Sequence, residues 1–183
     1  MIESTKKEFL EVVNENNQVI GTASRWEIHQ KALRHRSVHI FIFNTQGGLY
    51  LQKRSPDKDQ YPEHWDSSAA GHADPGESPL ETAQRELLEE LGLEAKLAEV
   101  LQYPACPETG WEFATLFVAQ TDDPIQLNLE EATTGDFFTP DQLIQLLANP
   151  HEKIAPGFRL LYSLYQKKYP EQLGPPKKNS LKY

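Results

Sequence analysis

Residues 38–43, VHIFIF, are apolar at nearly every position, whereas most of the chain mixes apolar and polar residues at short intervals. An apolar run of this kind predicts a strand in a sheet covered on both faces. It leads through a turn holding Gly47 and Gly48 into a second strand-like run, Leu49 to Leu51. Upstream, EFLEVVNENNQVIGTAS (residues 8–24) places two β-rich pieces around a polar Asn-rich turn, an opening hairpin, and RWEIHQKAL follows as a brief helix. Downstream, SPDKDQYPEHWDSSA is too rich in Pro, Asp and Ser for regular structure. EAKLAEVLQYP and WEFATLFVAQ add two strands.

Helical periodicity recurs further along. Over residues 79–91, Leu80, Ala83, Leu87 and Leu91 fall on one stripe, with Ser78 as N-cap, Glu81 completing a capping box, and Gly92 placed to end the helix. TPDQLIQLLAN opens with a Thr-x-x-Gln capping box and Pro140 at the first helical position. A third helix spans about residues 156–168, with Phe158, Leu161, Tyr162 and Tyr165 on one stripe. The mixture of strands and helices predicts an α/β (α+β) domain over residues 1–170, followed by a mobile tail at 171–183.

The polar face of the 79–91 helix changes the picture. Glu86, Glu89 and Glu90 are related by i, i+3 and i+4, the spacing at which helical side chains meet and like charges repel. Arg85 offsets part of this charge, with Glu81 and Glu89 four residues to either side. An oxygen-only cluster suits Mg²⁺ or Mn²⁺; a solvated acidic face is the competing reading.

Composition narrows the classes. With 183 residues, 38% hydrophobic and 25% charged, the chain has the size of one ordinary domain. A net charge of −9 argues against duplex nucleic acid as partner. Its single cysteine, Cys106, forms no internal disulfide, which together with a start lacking a signal-peptide pattern predicts a cytoplasmic protein. No apolar run approaches the ~20 residues of a membrane span.

One pattern joins these features: Gly71, five residues, Glu77, seven residues, Arg85-Glu86-Leu87, one residue, Glu89-Glu90, one residue, Gly92-Leu93. The identities and spacings resemble the defining box of the Nudix hydrolases (residues 71–93). At ordinary residue frequencies they would coincide by chance about once in 10⁸ windows. The resemblance implies a loop-helix-loop within an α/β/α sandwich with a mixed sheet, and hydrolysis of a nucleoside diphosphate derivative or related small-molecule diphosphate. It implies Mg²⁺ or Mn²⁺ held by Glu86, Glu89, Glu90 and the Gly71 carbonyl, with Arg85 and Glu77 orienting the carboxylates. Glu89 is the favoured base and Glu131 its rival. A homodimer through the last helix or the opening hairpin is also compatible with the family.

The frame from Val12 through Ser78 is similar to the type I isopentenyl diphosphate isomerases, which share that fold. Their metal-ligand positions match His29, His35, His72 and Glu112, implying a second metal site, although each histidine alone reads equally as a structural residue. The isomerase cysteine is absent: the triplet reads Ala70-Gly71-His72, and alanine transfers no proton. This departure and the intact box favour hydrolysis over two alternatives, an isomerase-like enzyme and a non-catalytic binding protein of the same fold, which would be expected to lose box acids. For the substrate, Arg54 is the favoured phosphate ligand, beside Lys53, Arg36 and Arg34, because Arg offers a planar fork of donors. Trp111 stacks on a base or packs as ordinary core.

Overall fold

The computed structural model describes residues 8–170; the tail expected at 171–183 lies outside the described residues. In chain order the elements are β1 (Phe9–Val13), β2 (Val19–Ser24), α1 (Arg25–Lys31), β3 (His35–Phe43), β4 (Leu49–Arg54), β5 (Trp65–Asp66), β6 (Ala69–His72), α2 (Pro79–Leu91), β7 (Ala98–Tyr103), β8 (Glu112–Gln120), β9 (Ala132–Phe138), α3 (Pro140–Ala148) and α4 (Pro156–Lys168). β1 and β2 form a separate antiparallel hairpin.

The remaining strands build one mixed sheet around β3, which pairs in parallel with β8 along its whole length. Its other edge is divided. β6 takes residues 37–40 in antiparallel register, while β4 touches β3 only at Phe43↔Leu49 and then pairs with β5 and β9. β4 and β6 therefore diverge from a common neighbour, and the space between them becomes the mouth of a cavity.

The double-sided apolar pattern of β3 has the expected consequence. Phe41 and Phe43 pack with α4 through Phe158, Tyr162 and Tyr165, while Val38, Ile40 and Ile42 pack with Ala83, Leu87 and Leu91 of α2. Burying one such side chain is worth about 2 kcal/mol, so each helix is fixed to its face of the sheet by several such increments. The result is the expected α/β/α arrangement.

Four local expectations change. Leu80, placed on the α2 stripe, is 44% exposed, because the first turn of the helix lies beyond the apolar seat that buries Ala83, Leu87 and Leu91. The segment expected to lack regular structure contains the two-residue strand β5. β9 escaped the strand pattern because Gly135 interrupts it; a Cβ there would lie 2.0 Å from the Tyr50 hydroxyl, so the ring of Tyr50 crosses the strand where a side chain would stand. The stripe of α4 faces the core and is not free for a partner copy, whereas Phe9, Val19 and Ile20 of the hairpin are exposed. No helix among the described residues is long and apolar enough to cross a membrane.

Candidate active site

A cavity of about 690 Å³ opens where β4 and β6 part, within the size range of small-molecule sites. Four buried side-chain atoms among the described residues lack a hydrogen-bond partner, Arg25 Nε, His35 Nε2, Ser37 Oγ and Gln52 Oε1. Arg25, Ser37 and Gln52 line this cavity, and His35 belongs to a histidine cluster whose other members line it. Buried polar atoms are ordinarily paired, so their concentration here marks a place built for a ligand.

The first flank is α2. Its start is fixed by the reciprocal Ser78 and Glu81 bonds and its end by Gly92 at φ 62°. Arg85 organises the face between. Its Nε and Nη2 each donate to Glu77 at 2.9 Å, its Nη1 donates to Glu86 at 2.7 Å and Glu89 at 3.2 Å, and Nη2 also reaches the His72 carbonyl at 3.0 Å. The expected Arg85 pairing with Glu81 is not made, because the carboxylate of Glu81 is used in the cap, and Glu77 takes its place. The bonds from Arg85 hold the Glu77 carboxyl down at about 2 and raise the guanidinium further above its ordinary range.

Glu90 lies deeper and accepts from the Ala70 backbone N–H and from Gln52 Nε2. Burial, reinforced by the Glu86 charge, pushes its carboxyl up to about 8. Burial also raises Glu86, with Arg85 opposing. A Cβ on Gly71 would fall 2.0 Å from Glu86 Oε1, so only glycine brings the backbone this close to that carboxylate. Across the cavity, Lys58 and Glu131 form an ion pair.

The second flank gathers His29 from α1, His35 from β3, His72 from β6 and Glu112 from β8. One ligand atom from each lies within 4.8 Å of the others. Among the described residues this is the only such group; on the glutamate flank the carboxylates are spread over Arg85, Gln52 and Ala70 instead. His35 Nδ1 sits 3.0 Å from the Leu33 carbonyl and His29 Nδ1 3.2 Å from Asp59, leaving each Nε2 for the cluster. Burial lowers the pKa of His35; for His72, burial acts the same way but the bonds to Glu112 and Glu8 outweigh it and raise it. Burial would raise Glu112, yet the nearby imidazoles of His35 and His72, the latter within hydrogen-bond distance, hold it well below the usual range. Neutral imidazole beside a carboxylate is the donor set of a divalent transition metal.

Among the expected substrate ligands, Arg54 and Trp111 line the cavity. Arg54 is held by Asp66 at 3.0 Å and by the Gln60 carbonyl at 3.1 Å, and the Arg34 guanidinium lies 5.6 Å from the Trp111 ring centre. Arg36 and Lys53 do not line it. Arg36 is committed to Glu11 and Asn17, and Lys53 lies over the Trp65 ring. Lys58, Arg25 and His39 line the cavity without having been singled out in the sequence. They belong to three separate segments with no spacing of their own to mark them.

This fold and this placement of the box define a class. The NUDIX domain family matches residues 33–158, and the chain belongs to that family. It is a Nudix hydrolase, similar to an uncharacterized Nudix hydrolase of Pseudomonas aeruginosa at 32% identity over 75% of this chain and 82% of the relative. It is also similar to an isopentenyl-diphosphate Delta-isomerase of Serratia proteamaculans, at 35% identity over 82% of this chain and 87% of the relative. A crystal structure of DR0079 from Deinococcus radiodurans superposes with a TM-score of 0.76 at 28% identity, covering 86% of this chain and 99% of that one.

Proposed function

We propose that the chain is a divalent-metal-dependent pyrophosphohydrolase that cleaves the diphosphate linkage of a nucleoside diphosphate derivative or related diphosphate. The observation that carries the reading is Arg85, itself held by Glu77, bridging Glu86 and Glu89 beside buried Glu90 and the Gly71 backbone, with Gly71, Arg85 and these three glutamates lining one cavity. The donor set fits Mg²⁺ or Mn²⁺: hard carboxylate oxygens, one carbonyl, and like charges crowded on one helix face. Glu86, Glu89, Glu90 and the Gly71 carbonyl would hold it. A bound divalent ion supplies positive charge that neutralises the diphosphate and makes a nearby water more acidic.

The chain's own residues do the rest. Glu89 takes the proton of the attacking water as its oxygen adds to phosphorus and the bridging P–O bond breaks toward the leaving group. Glu131 is the rival candidate, its carboxylate engaged by Lys58 as that of Glu89 is by Arg85. Arg54, already anchored by Asp66, and Lys58 offer cationic donors to the phosphate oxygens. Trp111 stacks on the base or packs an apolar group. Glu77 and Arg85 keep the carboxylates in place. We assign His29, His35, His72 and Glu112 to a second metal site, consistent with their convergence. We place a homodimer contact on the exposed hairpin and the protein in the cytoplasm, where an unpaired Cys106 is stable.

Relatives named isomerases and relatives named hydrolases are about equally similar, so identity does not divide the two activities. Ala70 does, since an isomerase must both give and take a proton and this position can do neither. The test is a panel of nucleoside diphosphate derivatives, dinucleotides, coenzyme A and isopentenyl diphosphate with Mg²⁺ or Mn²⁺, read by phosphate release and product mass. Glu89→Gln should lower kcat about 10³-fold on the substrate found. Isomerised isopentenyl diphosphate with no hydrolysis anywhere would replace this reading.

A further inference from the structure

The cavity extends beyond the groups used so far, to the face of β3 opposite α2. Ala155 and Gly157, at the start of α4, line it there together with His39 and Ser37. This helix start is unusual for the chain. In α1, α2 and α3 a backbone N–H of the first turn donates to the side chain of the N-cap residue, but the N-cap of α4 is Ala155, which has no side-chain acceptor. Pro156 has no N–H to satisfy, and Arg159 N–H is the first to reach the Ala155 carbonyl. The N–H groups of Gly157 and Phe158 are thus left at the positive end of a 13-residue helix.

One buried side chain meets that end, and a second lines the same cavity beside it. His39 is 7% exposed, and its Nδ1 lies 2.8 Å from Ser67 Oγ. Its other edge faces the helix start, because a Cβ on Gly157 would lie 3.5 Å from His39 Cε1 and 3.6 Å from Nε2. Nε2 has no partner among the described residues. Ser37, two residues along on the same face of β3, is 4% exposed and its hydroxyl is unpartnered. The nearby Asp66 carboxylate is engaged by Arg54 and by the Ser67 N–H, so its charge is already matched. Free N–H groups, an imidazole and a hydroxyl around one space are the equipment for binding oxygen anions.

We infer that the uncapped start of α4, His39 and Ser37 form a second oxyanion subsite, which binds a phosphate or carboxylate carried by the leaving side of the substrate. This rests on the hydrolase reading above, and it deepens that reading: the substrate is a diphosphate whose leaving moiety is itself acidic. A neutral sugar or an apolar tail would leave these donors unmatched, which buried donors tolerate poorly.

Two measurements test it. In the first, the metal-free full chain is titrated with inorganic phosphate, and separately with acetate, while backbone amide resonances are followed by NMR. The amides of Gly157 and Phe158 should shift saturably at millimolar concentrations, and Gly157→Leu, which fills the space without backbone strain, should remove the shift. Wild-type amides that stay fixed in both titrations would overturn the subsite. Phosphate and acetate report separately whether the site takes both anions or one.

The second compares substrates differing only in the acidic group, UDP-glucuronate against UDP-glucose and UTP against UDP, with Mg²⁺ present. The acidic member should be favoured in kcat/KM by about tenfold, the effect expected of one charge-assisted set of bonds. Gly157→Leu should narrow that ratio toward one, and so should Ser37→Ala, which deletes a hydroxyl with no partner to lose. A merely structural role would lower both members equally and leave the ratio intact. Shifting amides with no preference in either pair overturn the leaving-side assignment. Absence of hydrolysis on these substrates and on the whole panel above overturns the hydrolase reading, and the leaving-side assignment with it. The amide shifts would then still decide whether the anion site exists.

Discussion

The two flanks of the cavity handle concentrated charge in opposite ways. On α2, acids at i, i+3 and i+4 are drawn apart by protein donors, with Arg85 holding Glu77, Glu86 and Glu89 while Gln52 and Ala70 hold Glu90. On the other side, His29, His35, His72 and Glu112 converge to within 4.8 Å, and their outward nitrogens are fixed by Leu33 and Asp59. The first arrangement is adjustable, since an arginine fork can release one carboxylate and keep another. The second is rigid, because its members are set by three strands and a helix. A hydrolytic site benefits from the first property and a tightly held ion from the second. Arg85 connects them, because the group that holds Glu77 also donates to the His72 carbonyl.

The largest effect expected after loss of the base itself comes from one methyl group. In Gly71→Ala the new Cβ would stand 2.0 Å from Glu86 Oε1. The clash is with the end of a flexible side chain, so the fold should survive with little change in Tm while the carboxylate moves by an ångström or more. Misplacement on that scale costs about 10²-fold in kcat. Steady-state kinetics with a melting curve separates the outcomes: a full-rate variant would remove Glu86 from the hydrolytic site, and an unfolded one would make Gly71 a structural glycine.

The rigid flank is probed through Asp59, which holds His29 and pairs with Arg25 but is not itself a member of the cluster. Wild-type protein should bind Mn²⁺ in two classes by calorimetry. Asp59→Ala should weaken one class about 10–100-fold, the usual cost of losing an outer partner of a ligating histidine, and leave the other unchanged. A single class in wild type, or an equal loss in both, would mean that the flanks do not act separately.

How legible each flank was in the sequence follows the same division. The glutamate flank is written on one helix, so spacing, capping box and terminal glycine sufficed, and the observed bounds Pro79–Leu91 match the periodicity. The partner of Arg85 was misassigned because Glu81 and Glu89 have the same helical spacing from it, and only the structure shows the Glu81 carboxylate held by Ser78. The histidine flank draws on α1, β3, β6 and β8, and no local pattern states that these meet; only the family resemblance brought those residues together. His39 and Lys58 escaped for the same reason. Arg36 shows the reverse error, since a cation suited to phosphate was already committed to Glu11 and Asn17.

The smallest expected effect tests whether Arg85 braces the fold as well as the site. Its bonds hold the Glu77 carboxyl at about 2, below the ordinary 4.5. Because the folded value is the lower one, the stability from this pair is fully present above about pH 4.5 and is lost as pH falls through about 2. Glu77 is partly open to water, so screening reduces its worth to about 1 kcal/mol. Glu77→Gln should therefore destabilise the protein by roughly that amount at neutral pH, and the difference from wild type should vanish toward pH 2 in urea melts. A difference that persists unchanged across that range would assign the effect to packing beside Thr82, whose hydroxyl donates to Glu77 at 3.0 Å. No difference at neutral pH would make Arg85 an element of the site alone, held by Glu86 and Glu89 without need of the brace from Glu77.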